Sequence, residues 1–235
     1  MSDPPSIFHI ERHEFSFSPK LWDFAIERRA EIDAYFEGLR AQKPAIWNGR
    51  VLLLHDQEFV GGVLCGEYLE TDYASFAAWR HWGRPSASVR DCFGAAALMG
   101  SDGAFLLGVM GAHTFNSGKI YFPCGTPDPD DIVDGKVDLS HSVQRELKEE
   151  TGFGIDEFES EPGWAMVVDG PLIALIKVLR SNEVASVLRE RVFAHLASER
   201  EPELSAVRVV RNVGDFDPAM PRFISAFLAS RLGKG

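Results

Sequence analysis

The run RELKEETGF, which begins at Arg145, constrains the fold of this chain more than any other stretch. Side chains three and four positions apart lie on the same face of a helix, so Glu146, Glu149 and Glu150 share one face. At about 100° of turn per residue, the three carboxylates span an arc of roughly 100°. Gly152 then marks the end of the helix, because glycine readily adopts the left-handed backbone of a C-terminal cap.

Three like charges at this spacing repel one another, so stability alone gives no reason for them. A hard divalent cation such as Mg²⁺ would relieve the repulsion, since it prefers carboxylate oxygens and keeps waters that a phosphate can displace. Taken alone, such a helix is also typical of a solvated surface helix held by i,i+4 ion pairs. The sequence predicts metal-assisted chemistry on a phosphate-containing molecule.

Charge and cysteine usage exclude several classes of partner. The formal net charge of −11 disfavours non-specific binding to nucleic acid, which neutralises phosphates with Lys and Arg. No apolar run is long enough to span a bilayer, so we expect no membrane partner. The three cysteines are widely separated and form no CxxC pair, which favours a reducing compartment. We therefore expect a cytoplasmic protein with a small anionic substrate.

Two regions of the chain differ in their sequence patterns. The first predicts a helix over 19–41, strands over 50–55 and 59–67 joined by a turn at 56–58, and an aromatic-rich helix over 71–82. A Gly- and Pro-containing break at 83–86 follows. We expect residues 1–85 to form an N-terminal α+β extension or small lobe, and residues 86–235 to form the main domain.

The second region has a more regular order of elements. It predicts strands over 94–99, 104–110, 119–122, 164–169, 172–179 and 205–211, and helices over 139–151, 182–197 and 219–232. The glycine-flanked segment 100–103 predicts a tight hairpin, and Asp138 is placed to cap the central helix. This order predicts an α/β fold with a mixed sheet and helices on both faces.

The motif FPCG, which ends at Gly125, together with RELKEETGF resembles the signature of the Nudix hydrolases. The resemblance implies a Nudix-like α/β/α sandwich that hydrolyses the pyrophosphate bond of a nucleoside diphosphate linked to another group. It also implies that Glu146, Glu149, Glu150 and the Gly125 carbonyl bind Mg²⁺ or Mn²⁺. Arg145 would pair with a carboxylate, Glu149 being the expected one, and hold it in ligand geometry.

The front half of the motif departs from the family pattern. Cys124 replaces a glycine of the turn, and we interpret it as a small buried residue rather than a nucleophile, because no histidine base adjoins it. Val137 occupies the place of a glutamate that usually supports the motif arginine. The aspartates that could take over this role are Asp130, Asp131, Asp134 and Asp138.

Further site residues follow from the resemblance. The base near the metal-bound water is either Glu146 or Glu203, the latter in the loop before the last strand. His113, Phe115 and Trp164 lie in segments that could border the pocket, and we assign them to substrate binding. The aromatic side chains of the helix over 71–82 are interpreted as core or interface packing; they are Tyr73, Phe76, Trp79 and Trp82.

A second resemblance concerns the N-terminal region. Trp47-Asn48-Gly49 and the segment TDYASF, which starts at Thr71, are similar to motifs of the UDP-sugar diphosphatase branch of the Nudix family. It implies a UDP-hexose substrate, and the extension could serve a homodimer. The alternative function is a non-catalytic Nudix module that senses a nucleotide or binds a partner, and Val137 is the feature that favours it.

Overall fold

The computed structural model describes residues 3–44 and 46–233 as an α/β protein. The strands are β1 (Ser6–Ile10), β2 (Arg12–Phe17), β3 (Arg50–Val60), β4 (Val63–Asp72), β5 (Asp91–Met99), β6 (Phe105–Met110), β7 (Ile120–Tyr121), β8 (Ile132–Val133), β9 (Lys136–Val137), β10 (Glu159–Ser160), β11 (Trp164–Asp169), β12 (Leu172–Arg180) and β13 (Leu204–Val210). The helices are α1 (Asp23–Glu27), α2 (Arg29–Gln42), α3 (Tyr73–His81), α4 (Leu139–Thr151), α5 (Ala185–Ser198) and α6 (Arg222–Leu232).

The main sheet is mixed. Its order is β1-β11-β12-β5-β6-β13, with β10 paired to β12 and β7 paired to β6. β12 and β5 run parallel, whereas β5 and β6 form the antiparallel hairpin predicted at 100–103. Every residue of β5 is buried, as expected for a strand covered on both faces.

Helices cover both faces of this sheet. Neighbouring residues of a strand point to opposite faces. Phe93 of β5 packs edge-on against Phe223 of α6, with 5.6 Å between the ring centroids. The next residue, Gly94, faces Val143 of α4, whose Cγ2 would lie 2.5 Å from an added Cβ. The α/β fold with a mixed sheet between helical layers, which the sequence predicted, is confirmed.

A second sheet has the order β3-β4-β2-β9-β8. Strands from before residue 85 pair with strands from after it in both sheets. β1 pairs with β11 in the main sheet, whereas β9 pairs with β2 through Ser16 and Lys136. The division of the chain into residues 1–85 and 86–235 remains a prediction.

The hairpin of β3 and β4 turns later than the sequence predicted. The turn lies at Gly61 and Gly62, whose φ angles are 57° and 81°, and not at 56–58. β3 continues through Asp56, Gln57 and Glu58 with a bulge, seen as a shift of register between His55 and Glu58. A pair of glycines allows the positive φ angles of a tight turn more readily than these three residues do.

Several short strands lie outside the predicted elements. The segment between FPCG and α4, predicted as a loop, contains the hairpin of β8 and β9, with Asp134 and Gly135 at its turn. Both turn residues have positive φ, 50° and 75°, as in the two-residue turns that Asp-Gly favours. β1 and β2 were not predicted, and the helix predicted over 19–41 is divided into α1 and α2.

The aromatic side chains of α3 pack as predicted from their pattern. Phe76 and Trp79 are buried in an apolar cluster together with Ile32 and Phe36 of α2. Tyr73 and Trp82 lie at the border of this cluster. Within the described residues, no helix is long and apolar enough to cross a membrane.

Candidate functional site

Helix α4 begins and ends where its sequence predicts. The Asp138 carboxylate accepts hydrogen bonds from the backbone N–H groups of Ser140 (2.8 Å) and His141 (3.2 Å). Gly152 ends the helix with φ 77°. The buried face that packs on β5 carries apolar side chains one turn apart, namely Leu139, Val143 and Leu147. The register of α4 is therefore fixed at both ends and along one face.

The three glutamates of α4 meet Glu203 at one cleft. The cleft has a volume of about 410 Å³, and its lining includes Glu146, Glu149, Glu150 and Glu203. Glu203 comes from the segment just before β13, which pairs with β6. Glu149 is exposed, whereas Glu150 is only 4% exposed. The structure thus brings together four of the carboxylates that the sequence selected.

The FPCG turn lies directly behind two of these carboxylates. A Cβ added at Gly125 would lie 2.2 Å from Oε1 of Glu146, so only glycine leaves room for that carboxylate. The backbone N–H of Cys124 donates to Oε1 of Glu150 over 3.4 Å. Burial raises the pKa of the Cys124 thiol well above its usual range, which opposes thiolate formation.

The carboxylates of the cleft are hard to ionise by themselves. Burial raises the pKa of Glu146 to about 7, against the opposing effect of Arg145. Burial, with Glu146 and Glu203 nearby, raises the pKa of Glu150 well above its usual range. Burial and the charge of Glu149 also raise the pKa of Glu203. Each shift reflects negative charge held with too little compensation.

The donor set fits a hard divalent cation. Oε2 of Glu150 is buried and has no hydrogen-bond partner among the described residues. A buried acceptor of this kind costs stability unless something satisfies it. Carboxylate oxygens are the ligands that Mg²⁺ and Mn²⁺ prefer, and among the described residues those of the three α4 glutamates do not all lie within 4.8 Å of one another. Glu146, Glu149 and Glu150 could therefore hold such a metal.

Arg145 connects the cleft to the loop before α4. Its guanidinium donates to Oε1 of Glu146 (2.9 Å), to Oδ2 of Asp131 (3.3 Å) and to Oε2 of Glu149 (3.5 Å). Asp128 lies 3.6 Å away. The shortest contact of Arg145 is with Glu146. The expected contact with Glu149 is the longest of its three hydrogen bonds.

Of the four aspartates that could replace the missing glutamate, Asp131 contacts Arg145. Asp131 is completely buried, and its Oδ2 accepts the backbone N–H of Asp128 over 3.1 Å. Asp128 and Asp131 form the capping box of a short 3₁₀ turn over Pro129–Asp131, in which the Asp131 side chain accepts from the N-cap backbone. Asp138 caps α4 instead, and Val137 is buried in the core. The spacing of Asp128 and Asp131 is a sequence signal that could have selected Asp131.

A second cavity, of about 350 Å³, lies against the glycine turn. Its lining includes Cys124 and Gly125 together with the basic side chains Arg80, Arg84 and Lys119. Arg80 lies 5.3 Å from the ring centroids of both Phe76 and Phe115. The Nε atom of Arg84 is buried without a hydrogen-bond partner among the described residues. No sequence pattern pointed to these two arginines, of which Arg80 lies in the last turn of α3 and Arg84 lies after its end.

The two N-terminal motifs contact each other at the start of α3. Asp72 caps the helix by accepting the backbone N–H of Ser75 over 3.1 Å. The side-chain oxygen of Asn48 accepts the backbone N–H of Ala74 over 2.7 Å. Arg29 of α2 pairs with Asp72 over 2.9 Å. These motifs therefore fix the helix that carries Arg80.

The three residues assigned to substrate binding lie in different places. His113 lies near Glu203, and Gly111 connects the two. The His113 ring would lie 3.0 Å from a Cβ added at Gly111, and the backbone N–H of Gly111 donates to the Glu203 carbonyl. Phe115 packs against Tyr73 and Arg80. Trp164 lies elsewhere, buried on β11 against the ring of His13. The roles of these three residues in substrate binding remain predictions.

Comparison with known proteins gives only distant similarity. No family model matches the chain, and neither does any curated protein. Among solved structures, DR0079 from Deinococcus radiodurans is 14% identical, with a TM-score of 0.42 over 68% of this chain and 82% of that one. A MutT protein from Methanosarcina mazei Go1 is 19% identical, with a TM-score of 0.40 over 62% of this chain and 98% of that one.

A third similar structure is RenU, a Nudix hydrolase from M. smegmatis. It is 14% identical, with a TM-score of 0.37 over 60% of this chain and 81% of that one. Similarity at this level carries no argument about activity. The function therefore rests on the residues of the site.

Proposed function

We propose that this protein is a metal-dependent pyrophosphohydrolase of the Nudix type, acting on a nucleoside diphosphate derivative. The observation that supports it best is the packing of Glu146 and Glu150 against the FPCG turn at the acidic cleft. Two buried carboxylates with raised pKa values are costly to a fold that does not use them. The match of FPCG and RELKEETGF to the Nudix signature points to the same chemistry.

The metal ligands in this proposal are Glu146, Glu149, Glu150 and the carbonyl of Gly125. Mg²⁺ or Mn²⁺ bound there would polarise the pyrophosphate and activate a water. Arg145 holds Glu146 in position through the 2.9 Å hydrogen bond. This contact keeps the carboxylate oriented, as partners of metal ligands generally do.

Glu203 is the general base in this proposal. It faces the same cleft as the α4 glutamates, and Glu146 is already engaged by Arg145. A base is most effective when its pKa lies near the working pH, and the pKa of Glu203 is raised by burial. Glu203 would take the proton of the attacking water.

The cavity that Gly125 lines would hold the rest of the substrate. Arg80, Arg84 and Lys119 give it positive charge, which suits the phosphates of a nucleotide. Asp91 and Asn116 add polar groups that suit sugar hydroxyls. Together with the resemblance of the N-terminal motifs, this lining supports a nucleotide sugar such as a UDP-hexose.

Replacing the ligands tests the proposal. In Glu149→Gln and Glu150→Gln, we expect kcat to fall by more than about 100-fold, because even partners of metal ligands contribute 10–100-fold. The assay measures release of nucleoside monophosphate from UDP-glucose, ADP-ribose, NADH and coenzyme A with Mg²⁺. The exposed Glu190 on α5 provides the matched control, Glu190→Gln, which should keep full activity. Undiminished activity in both ligand variants would falsify the assigned metal site.

One observation favours a second function, a non-catalytic module that binds a nucleotide as a sensor. Val137 stands where the family carries a glutamate, and it is buried in the core rather than turned to the site. The same substrate screen distinguishes the two functions. Nucleotide binding by the wild-type protein with no release of monophosphate would establish the sensor.

A further inference from the structure

His55, Asp56 and Glu67 form a compact cluster away from α4. Each offers one ligand atom, and these atoms all lie within 4.8 Å of one another. Among the described residues, no other group of three His, Cys, Asp or Glu side chains meets this limit. The three α4 glutamates therefore do not meet it. Nδ1 of His55 lies 2.7 Å from Oδ2 of Asp56, and Nε2 lies 3.8 Å from Oε2 of Glu67.

The β3–β4 hairpin builds this cluster. His55 and Glu67 stand directly opposite each other in the antiparallel pair, so their side chains share a face. Adjacent strand residues normally point to opposite faces, but the bulge after His55 interrupts that alternation. Asp56 has φ 49° at the bulge, and its carboxylate reaches the imidazole of His55.

The imidazole of His55 has one unsatisfied nitrogen. His55 is only 2% exposed, and its Nε2 has no hydrogen-bond partner among the described residues. When Nδ1–H donates to Asp56, Nε2 carries the lone pair, which faces Glu67. A carboxylate that fixes the tautomer in this way is the usual partner of a metal-binding histidine.

We propose that His55 Nε2 and Glu67 bind a divalent transition-metal ion of the Zn²⁺ class, with Asp56 orienting the imidazole. Mixed nitrogen and carboxylate ligands suit Zn²⁺ and its neighbours rather than Mg²⁺. Ligand atoms at about 2.1 Å from a tetrahedral ion lie roughly 3.4 Å apart. The observed 3.8 Å therefore needs only a small shift of the exposed Glu67 side chain.

Two residues of the cluster, Asp56 and Glu67, border a wide groove. Asp56 and Glu67 line a groove of about 870 Å³ that is shared with Glu58 and Cys65. Water or a small anion could complete the coordination from this groove. Nζ of Lys20 lies 3.5 Å from Oδ2 of Asp56 and balances part of the charge of that carboxylate. The site is independent of the proposed hydrolase chemistry, since it shares no residue with the α4 cleft.

The test measures Zn²⁺ binding in the Glu149→Gln/Glu150→Gln background, which disables the α4 ligands. Titration calorimetry should find one Zn²⁺ per chain, and Zn²⁺ should raise the melting temperature. Adding Glu67→Gln should weaken binding by more than about 100-fold, and adding Asp56→Asn by about 10–100-fold. Glu14→Gln is the matched control, because Glu14 lines the same groove but pairs with Arg12. It should leave the affinity unchanged.

A spectroscopic readout separates nitrogen coordination from simple charge attraction. Co²⁺ bound to the background protein should give a visible absorption band that His55→Gln abolishes. Because His55 is buried and its replacement could disturb folding, the exposed Glu67 provides the primary variant. Absence of Zn²⁺ binding in the background protein, or equal affinity in Glu67→Gln and Glu14→Gln, would overturn the proposal.

Discussion

At the scale of single residues, the site depends on one arginine held between carboxylates. Burial by itself would lower the pKa of Arg145, but Glu146 and Asp131 raise it, so the guanidinium stays charged. Asp131 has no exposure to solvent, and its basic neighbours are Arg145 and His141, whose Nδ1 lies 3.4 Å from Oδ1 of Asp131. Asp131, in the loop before α4, therefore gives Arg145 a carboxylate partner that the apolar Val137 cannot provide.

We expect Asp131→Asn to lower kcat by about 10–100-fold, because Arg145 would lose a charged partner and Glu146 its fixed orientation. The amide oxygen can still accept the N–H of Asp128, so the turn should survive. Asp134→Asn is the control, since Asp134 is exposed and asparagine tolerates its positive φ. Equal activity in the two variants would show that Asp131 does not support the site.

At the scale of elements, local chemistry determined what the sequence could predict. The ends of α4 were predicted because Asp138 and Gly152 act on neighbouring backbone groups. The strands β8 and β9 were missed because each has two residues and β9 depends on pairing with Ser16, far away in the chain. The turn of the β3–β4 hairpin was predicted too early because the polar residues of the bulge after His55 resemble those of a turn.

The same distinction applies to the candidate site. Helical spacing was enough to place Glu146, Glu149 and Glu150 at one cleft. Arg80 and Arg84 could not be predicted, because only tertiary packing brings them to the cavity that Gly125 also lines. The choice of Asp131 among four aspartates likewise depends on the position of Arg145 in space.

The spacing between the glycine turn and α4 gives a prediction at this scale. Gly125→Ala would place a methyl group 2.2 Å from Oε1 of Glu146 and displace that carboxylate, so we expect about a 10–100-fold loss of kcat. Gly38→Ala in α2 has no atom within 4 Å of the new methyl group. This control should keep activity and raise the free energy of unfolding by about 0.5–1 kcal/mol, measured by urea denaturation. Full activity in Gly125→Ala would contradict the described packing.

At the scale of the whole molecule, the two sheets share one apolar core. Phe15 of β2 and Leu64 of β4 belong to the same buried cluster as the strands of the main sheet. His13 of β2 packs edge-on against Trp164 of β11, with 5.1 Å between the ring centroids. The junction between the sheets is therefore an aromatic contact that contains a titratable group.

Acid should weaken this junction. Burial lowers the pKa of His13 below its usual 6.5, so below that pH the unfolded chain binds a proton that the folded chain resists. His13 should therefore lower the free energy of unfolding as the pH drops from about 7 to about 5, whereas Glu146 and Glu150, whose pKa values are raised in the fold, contribute in the opposite direction. Urea denaturation should therefore show the free energy of unfolding of His13→Phe increasing relative to that of the wild type as the pH falls, whereas exposed His81→Gln should follow the wild type. Parallel curves for His13→Phe and the wild type would rule out His13 as the cause.

The pairing of β1 with β11 has a consequence for biosynthesis. Ser6 lies beside Val168, so the first strand must wait for roughly 160 more residues to leave the ribosome before its partner exists. At typical elongation rates this delay is roughly 8–30 s. During that time the edge of β1 is open to other nascent chains, and chaperone capture of the N-terminal segment would protect it.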